Sequence, residues 1–411
     1  MHQAHPGRPI RKRAVLLATQ PWLPRPLPVV MTAAAESGGA PLGRGRRCGP
    51  GRRETLLAHL GVAEAGGLAA VTGATGHIGN NLVRSLTTKG WRVRCLVMPG
   101  DDLYPLTGLP VAIHRGDVRD EGALAGLCAG VDVVFHLASL VTITPGNSRL
   151  LEDINVRGAR RVAEACLAGG VRRMVHTSSI HALAEPLPGT VIDEEQPFDP
   201  GAIGTAYGRS KARGTLEVLD VARRGLDVVV VCPTGTIGPH DYRPSPLGRL
   251  ILDYARGSLR AYVDGAYDFV DVRDVTAGMV TASSRGRAGC AYILSGQRLT
   301  VREFLACLEE LTGLAAPRLK VPSWCAYPAA AAFSAHGRLT GLPPLLTRDT
   351  VYTLSSNSHI SCARAHRELD YRARPVREAI AAALAWFRDG GMVKTRRPVA
   401  TPATRGGRVG P

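Results

Sequence analysis

The sequence predicts an α/β protein: a doubly wound parallel sheet with a smaller C-terminal α/β lobe. Three observations predict it. From about residue 68, short β-branched runs alternate with helical patterns, which is how parallel strands joined by crossover helices read. One run, "DVVVVCPTG" at 227–235, is nearly continuous in valine, as expected of a strand covered on both faces. The chain has 411 residues, 45% of them apolar, enough to bury the core of one large domain or two intimate ones.

Taken in order, "LAAVTG" reads as a strand and "IGNNLVRSLTTKG" as a helix ended by Gly90. "RVRCLV" and "VAIHRGDV" are strands, "GALAGLCAG" a helix and "VDVVFHLA" a strand. "LEDINVRGARRVAEACLAGG" is a helix, "RRMVHTSS" a strand, "YGRSKARGTLEVLDVARRG" a long helix and "DVVVVCPTG" a strand. This order, βαββαβαβαβ, is that of a doubly wound sheet. After Pro233 the rhythm loosens. "GPHDYRPSPLGRLILDYARGSL" reads as a loop and a helix, "DFVDVRDVTAGMVTASSRG" as a strand and a helix, and "TVREFLACLEELTG" as an amphipathic helix. Residues 317–350 are rich in Pro and Ala, and "REAIAAALAWFRDGG" closes the fold. The expected division is a basic Pro/Gly-rich tail over 1–66, a first domain over 67–232, a lobe over 233–391 with segments returning to that domain, and a second basic tail over 392–411.

The net charge of +17 is concentrated in the tails. Residues 1–66 hold ten Lys/Arg against three Glu, and residues 392–411 hold five against none. Only +5 belongs to the remaining chain. That is no nucleic-acid footprint; charge in Pro/Gly-rich tails reads as solvated, disordered chain. "RKRAVLLATQPWLPRPLPVVM" places basic residues ahead of an apolar segment, but Gln20, Pro21, Pro24, Arg25 and Pro26 interrupt it, against a signal peptide. Met31 is a candidate alternative start. No apolar run reaches the length that spans a bilayer, and "SWCAYPAAAAFSAHGRL" at 323–339 reads as a helix packed on a domain. Nine scattered cysteines without a CxxC pattern fit a reducing cytoplasm and neither a disulfide framework nor a metal site.

In "AAVTGATGHIGNNLV" an apolar run meets Gly73, Gly76 and Gly79, spaced three apart, and then an apolar helical pattern resumes. In a strand-turn-helix unit such glycines permit a tight turn, let the backbone approach a pyrophosphate, and allow close helix packing. A turn that serves packing alone reads the same way. "YGRSK" sets Tyr207 and Lys211 one turn apart on one helix face. An ammonium beside a phenol lowers its pKa, which suits the phenol to acid/base work at neutral pH; two surface residues sharing a face are the plainer reading. "VHTSS" ends a strand in hydroxyl side chains upstream of that helix. A serine there either caps the next turn or polarises a substrate carbonyl.

Together, the glycine turn, the strand-end serine and Tyr-x-x-x-Lys stand in the order and spacing of the short-chain dehydrogenase/reductase superfamily. Residues 67 to about 390 resemble its extended branch, the NAD-dependent epimerase/dehydratase family, through "TGATGHIG", "GDVRD", "FHLAS", "INVRG", "HTSS", "YGRSK", "CPTGTIGP", "YDFVDVRDV" and "ELDYRARP". Within it the chain is most similar to dihydroflavonol-4-reductase-like and hopanoid-associated sugar-epimerase-like proteins. The resemblance implies a Rossmann-like NAD(P)-binding domain over 67–232 and a mainly substrate-binding lobe after it. It implies Tyr207 as general acid/base, Lys211 as the group that lowers the Tyr207 pKa and holds the nicotinamide ribose, and Ser179 as the hydroxyl on the reacting oxygen, with Ser178 structural. Cofactor contacts are expected from Gly73, Thr75, Gly76, His77, Ile78, Gly79, Asp117, Val118, Leu137, Ala138, Ser139, Pro233 and Thr234, besides Tyr207 and Lys211. Asn155 is expected to pin a helix to a strand, and Thr142, His181, Tyr242 and Arg273 to face a small-molecule substrate. A homodimer is implied too.

Two departures bear on function. The end of the second strand carries Val97 and Met98 in place of an acidic residue for the adenosine ribose of NAD or an Arg for the phosphate of NADP, with Arg94 and Asp101 as substitutes. NAD and NADP therefore both stay open. Nucleotide-sugar epimerases of this family commonly carry an Arg just before the "DF/DY" pair; this chain has Tyr267. The sequence favours an NAD(P)-dependent oxidoreductase acting on a carbonyl or secondary alcohol. A sugar epimerase or dehydratase, and a non-catalytic dinucleotide-binding protein, stand as alternatives.

Overall fold

The computed structural model describes residues 67–141, 148–186, 189–340 and 347–393; residues 1–66, Thr142 and residues 394–411 lie outside them, while Met392 and Val393 of the expected second tail pack on the lobe's core. Seven strands form one parallel sheet: β1 (Leu68–Thr72), β2 (Arg92–Val97), β3 (Val111–Arg115), β4 (Val133–His136), β5 (Arg173–Thr177), β6 (Val228–Pro233) and β10 (Ala291–Leu294). Their order, β10-β6-β5-β4-β1-β2-β3, is doubly wound, with the direction of winding reversing at β1 and β4. That reversal opens a crevice at the carboxyl ends of the strands, where ligands of such sheets bind.

Both faces of the sheet are covered, and the strands alternate between the two cores with the period of two that pleating imposes. On one face Ala70 and Val134 pack with α2 (Glu121–Cys128), α4 (Ala159–Ala168) and α5 (Ala206–Ala222) through Leu124, Leu127, Val162, Cys166, Val218 and Val221. On the other, Ala69, Val71 and Phe135 meet α1 (His77–Thr88), α7 (Val272–Arg285) and α11 (Ala363–Leu369) through Leu82, Leu86, Val275, Met279 and Leu369. A short α3 (Ser148–Leu151) runs through a π-helical segment, Glu152–Gly158, into α4. Local signals fix several helix starts: Asp120 caps α2 by accepting from the Ala123 amide at 3.1 Å, and Thr205 caps α5 by accepting from Gly208 at 3.1 Å.

The lobe is assembled from the chain beyond β6. A three-stranded sheet joins β7 (Gly235–Ile237), β9 (Ala266–Asp271) and β11 (Gln297–Thr300), and a two-stranded ribbon pairs β8 (Ala261–Val263) with β12 (Leu319–Val321). Around them lie α6 (Pro246–Ala255), α8 (Val301–Thr312), α9 (Ser323–Thr340), α10 (Arg348–Ser355) and α12 (Val376–Asp389). Its own core gathers Ile251, Leu252, Phe304, Leu308, Ile380 and Phe387. A Thr300/Glu303 capping box opens α8 and Gly313, at φ 69°, closes it. The helix expected at 323–339 is α9, and no helix among the described residues is long and apolar enough to cross a membrane. All eight described cysteines are free, and no cluster with metal-ligand composition occurs among the described residues.

Candidate active site

The three glycines play separate parts. Gly73 ends β1 at φ 69°, and a Cβ on it would lie 2.7 Å from the Ala138 amide nitrogen, so the turn after β1 and the segment after β4 touch backbone to backbone. Gly79 sits one turn into α1, where a Cβ would stand 2.0 Å from the Gly73 carbonyl oxygen. Both are demanded by packing. Gly76 differs: it is exposed, its φ is −74°, and a Cβ there would meet only the Gly73 oxygen at 3.3 Å. The amides of His77, Ile78 and Gly79 precede the first bond within α1, from Asn80 N–H to the Gly76 carbonyl at 2.9 Å. A bare, exposed glycine in front of a helix start with free amides is a cradle that a phosphate group fits. Gly76→Ala is therefore expected to leave thermal stability within about 1 kcal/mol of wild type while cutting dinucleotide affinity at least about tenfold. Melting curves and a binding titration on the same preparation check it.

Ser179, Tyr207 and Lys211 converge at the carboxyl edge of the sheet next to that turn. Ser179 follows β5, and its Oγ accepts from the His181 amide at 3.2 Å, capping a 3-10 turn over Ile180–Ala182. One lone pair of the hydroxyl is thus engaged, and its O–H and second lone pair are left for other partners. The turn lies on the start of α5 because Gly208 has no side chain; a Cβ there would come within 2.5 Å of the His181 carbonyl. Tyr207 precedes that glycine. Burial pushes its phenol up to about 12, and hydrogen bonds with Ser179 and Ser139 draw it part of the way back. One turn on, buried Lys211 donates to the Thr177 carbonyl at 2.6 Å, and burial brings its ammonium down to about 8. The resemblance implied that Lys211 lowers the Tyr207 pKa. Here the ammonium is directed to the end of β5, and desolvation dominates both groups.

Asn155 ties the pieces together from within the π-helical segment, a helical form frequent at functional sites. Its Nδ2 donates to the Leu140 carbonyl and the Ser210 hydroxyl, each at 3.0 Å, and its Oδ1 accepts from Leu140 N–H at 2.8 Å and Ser139 O–H at 3.1 Å. The segment after β4, rather than a strand itself, is thereby pinned to α5. Gly214 makes the approach possible, since a Cβ there would collide with the Asn155 carbonyl oxygen at 2.0 Å.

With this geometry in view, comparisons with known proteins place the chain. The NAD dependent epimerase/dehydratase family matches residues 69–294, more than half of the chain. The chain belongs to that family. Sterol demethylase protein B of Methylococcus capsulatus is 39% identical over 327 residues, which are 79% of this chain and 99% of that protein. A putative dihydroflavonol 4-reductase of Synechocystis sp. is 34% identical over 79% of this chain and 96% of its own length. The crystal structure of gox2253 superposes with a TM-score of 0.71 at 33% identity, over 80% of this chain and 99% of that one.

In this member of the epimerase/dehydratase family the other expected contacts are distributed unevenly. Leu137 and Ala138 face the glycine turn, and both of their amides donate to the Thr72 hydroxyl at 3.1 Å. Val118 is 6% exposed and its side chain lies in the core, against Gly158. Asp117 is engaged by Arg119 through two side-chain hydrogen bonds of 3.0 and 2.7 Å, and the guanidinium holds its carboxyl below the ordinary value. Pro233 ends β6, and the Thr234 hydroxyl next to it donates to buried Asp268 at 2.6 Å. His77 donates to the Pro239 carbonyl at 3.1 Å, and Thr75 donates to Asp101 at 2.7 Å, while Arg243 pairs with Asp101 at 2.9 Å. Burial raises the Asp101 carboxyl, but Thr75 and Arg243 outweigh it and leave the group below its ordinary value. Arg94 does not reach the crevice: it caps the carbonyls of Gly126, Leu127 and Ala129.

Two substrate expectations need correction. Tyr242 is turned to α1, accepting from Arg84 at 2.8 Å and packing edge-on against Tyr104 and Trp386. Arg273 forms a two-pronged pair with Asp271 at 2.9 and 2.6 Å at the start of α7. Neither lines the cavity beside Ser179, because their stronger partners lie elsewhere. His181 does line it, with Tyr267, Tyr352 and Ile203. The sequence reading missed Thr72, and also the histidines His136 and His176, whose rings stack 5.5 Å apart and which burial keeps neutral. It missed Gly208 and Gly214 as well. Only the register of strands and helices reveals those contacts.

Proposed function

We propose that this protein is an NAD(P)-dependent oxidoreductase that moves a hydride between nicotinamide and a carbonyl or secondary-alcohol carbon of a small molecule. The observation that carries the reading is the convergence of Ser179, Tyr207 and Lys211 at the carboxyl edge of the sheet beside the glycine turn, with Lys211 donating to the Thr177 carbonyl at 2.6 Å and Ser179 capping the turn that packs on Gly208. When bound, the nicotinamide supplies or accepts the hydride. Ser179 donates to the reacting oxygen and polarises the carbonyl. Tyr207 gives its proton to that oxygen as the carbon gains the hydride, so a ketone becomes a secondary alcohol; oxidation runs the same transfers backwards. Lys211, whose ammonium donates to the Thr177 carbonyl next to Ser179, would hold the nicotinamide ribose. Gly73, Thr75, Gly76, His77, Ile78, Gly79, Leu137, Ala138 and Ser139 form the dinucleotide cradle, with Asp117 and Val118 at the adenine, and Pro233 and Thr234 beside the nicotinamide.

In this reading residues 67–232 form the dinucleotide-binding domain and residues 233–391 mainly the substrate lobe, with β10 and α7 returning to the sheet. A cytoplasmic homodimer is part of the same proposal, and light scattering on the purified chain tests the dimer. NAD and NADP are both accommodated, since Met98 offers neither a carboxylate nor a guanidinium.

The family name itself favours a second reading, a sugar epimerase or dehydratase that retains its NAD through a closed redox cycle. Denaturing the purified protein and identifying any released dinucleotide by mass spectrometry separates the two. Little bound dinucleotide, followed by saturable NADH or NADPH binding, is the expected result. Near-stoichiometric NAD would favour the epimerase.

A further inference from the structure

We propose that Thr215 is a positioning residue for the reaction: its buried hydroxyl ties His176 and Ser178 to the Lys211 carbonyl. It thereby fixes the strand end that carries Ser179 against the helix that carries Tyr207 and Lys211. This rests on the oxidoreductase reading and adds a residue to its machinery. Two periodicities bring the groups together. Lys211, Thr215 and Val218 recur at helical spacing on one face of α5, and Met174, His176 and Ser178 alternate onto one face of β5. Met174 and Val218 share the core between strand and helix. Toward the carboxyl edge of the sheet the contact turns polar.

The Thr215 hydroxyl belongs to a residue that is 0% exposed and has three polar neighbours: the Lys211 carbonyl at 2.8 Å, the Ser178 hydroxyl at 2.7 Å and His176 Nε2 at 3.2 Å. A hydroxyl has one proton to donate and two lone pairs. The carbonyl only accepts, so the proton goes to Lys211, and the lone pairs take the Ser178 O–H and the His176 Nε2–H. The direction of every bond is set. The His176 proton therefore sits on Nε2 and leaves Nδ1 bare; that nitrogen is buried and has no partner among the described residues. Burial, with the Lys211 ammonium and His136 acting in the same sense, keeps the ring neutral. Ser178, its proton committed to Thr215, has none to offer a substrate, which leaves that task to Ser179.

Three consecutive residues at the exit of β5 are thus bound to α5. His176 and Ser178 donate to Thr215, and the Thr177 carbonyl between them accepts from the Lys211 ammonium at 2.6 Å. Ser179 is the next residue. Apolar packing of a strand on a helix is non-directional, whereas hydrogen bonds of set direction hold one register. A displacement of about 1 Å in a reacting group costs about 100-fold in rate, so the register here bears on how Ser179 and Tyr207 meet one oxygen. Thr215 acts through Lys211 and Ser179.

The test compares Thr215→Val, which keeps the branched shape and removes the hydroxyl, with Thr215→Ser, which keeps the hydroxyl. Thr215→Ala removes the same hydroxyl and guards against a valine variant that fails to fold. Reduction of a panel of ketones by the intact protein is followed through the absorbance of the reduced nicotinamide. Thr215→Val is expected to lower kcat about tenfold or more while KM changes by less than about threefold, and Thr215→Ser to stay within about threefold of wild type in both. In parallel, proton–nitrogen correlation spectra of protein labelled with heavy-nitrogen histidine report which nitrogen of His176 carries the proton. The ring is assigned by its absence from His176→Gln or by its shift in Thr215→Ser. It is expected neutral, with the proton on Nε2, and its resonances move in Thr215→Val. A proton on Nδ1, a charged ring at neutral pH, a folded Thr215→Val with wild-type kcat, or a loss that Thr215→Ser shares would each overturn the proposal. No hydride transfer to any ketone by the wild type, with the His176 proton on Nε2, would instead sink the oxidoreductase reading. Thr215 would then lose its part in the reaction, and the buried hub would stand.

Discussion

Tyr207→Phe is expected to lower kcat for carbonyl reduction by about 10²- to 10⁴-fold while dinucleotide and substrate dissociation constants change by less than about threefold. The substitution keeps the ring and removes only the O–H, so the packing of α5 against the 3-10 turn at Gly208 survives. What disappears is the proton that the alkoxide must receive. Direction matters as well. Burial sets the phenol near 12, so it is protonated across the neutral range and ready to act as an acid. Reduction should therefore be insensitive to this group around neutrality. Oxidation needs the phenolate, whose fraction grows about tenfold per pH unit well below the pKa, so its rate should climb with pH. Steady-state profiles in both directions check the pair of expectations. A Phe variant with near wild-type turnover, or identical profiles in the two directions, would remove Tyr207 from the proton-transfer step.

The parts of this arrangement that the sequence displayed are those written in local pattern. Strands β1 to β6 show as β-branched runs, and their sheet order follows from alternating with helices. The glycine turn and Tyr-x-x-x-Lys show because both depend on spacing within one turn of helix. The seventh strand was harder to see: "AYIL" is four residues long and pairs with β6 from 58 or more residues downstream. The lobe strands β7, β8 and β12 have three residues each, too few to show a period. Gly208 and Gly214 look like ordinary helix residues until the turn after β5 and the π-helical segment are laid against them. Tyr242 and Arg273 were misplaced for a related reason. Direction after Pro233 is set by where the chain docks on α1 and α7, through contacts such as Asn81 to the Pro239 carbonyl at 3.0 Å, and no periodicity encodes that.

Lys211→Met is expected to remove a pH-dependent component of stability and to abolish activity, a combination that a merely structural lysine would not produce. Lys211 is 4% exposed, and its pKa falls from the ordinary 10.5 to about 8 on folding. Between those two values the unfolded chain binds more protons at this site than the native one, so stability rises with pH there. Below about 8 both states are protonated and the native state bears the full cost of a buried ammonium; above 10.5 both are neutral and the cost is gone. The separation corresponds to about 3 kcal/mol across the window. Urea titrations of wild type and variant at several pH values measure it as a difference, in which the titrating groups that do not interact with Lys211 cancel. The wild type should gain on the variant as pH rises through that window. Curves that run parallel would mean that Lys211 is not carried as a desolvated ammonium, and its proposed hold on a ribose at neutral pH would lose its physical basis. Converging stability with activity retained would be the opposite failure: a buried lysine serving only the Thr177 carbonyl, with the reaction run from elsewhere in the crevice.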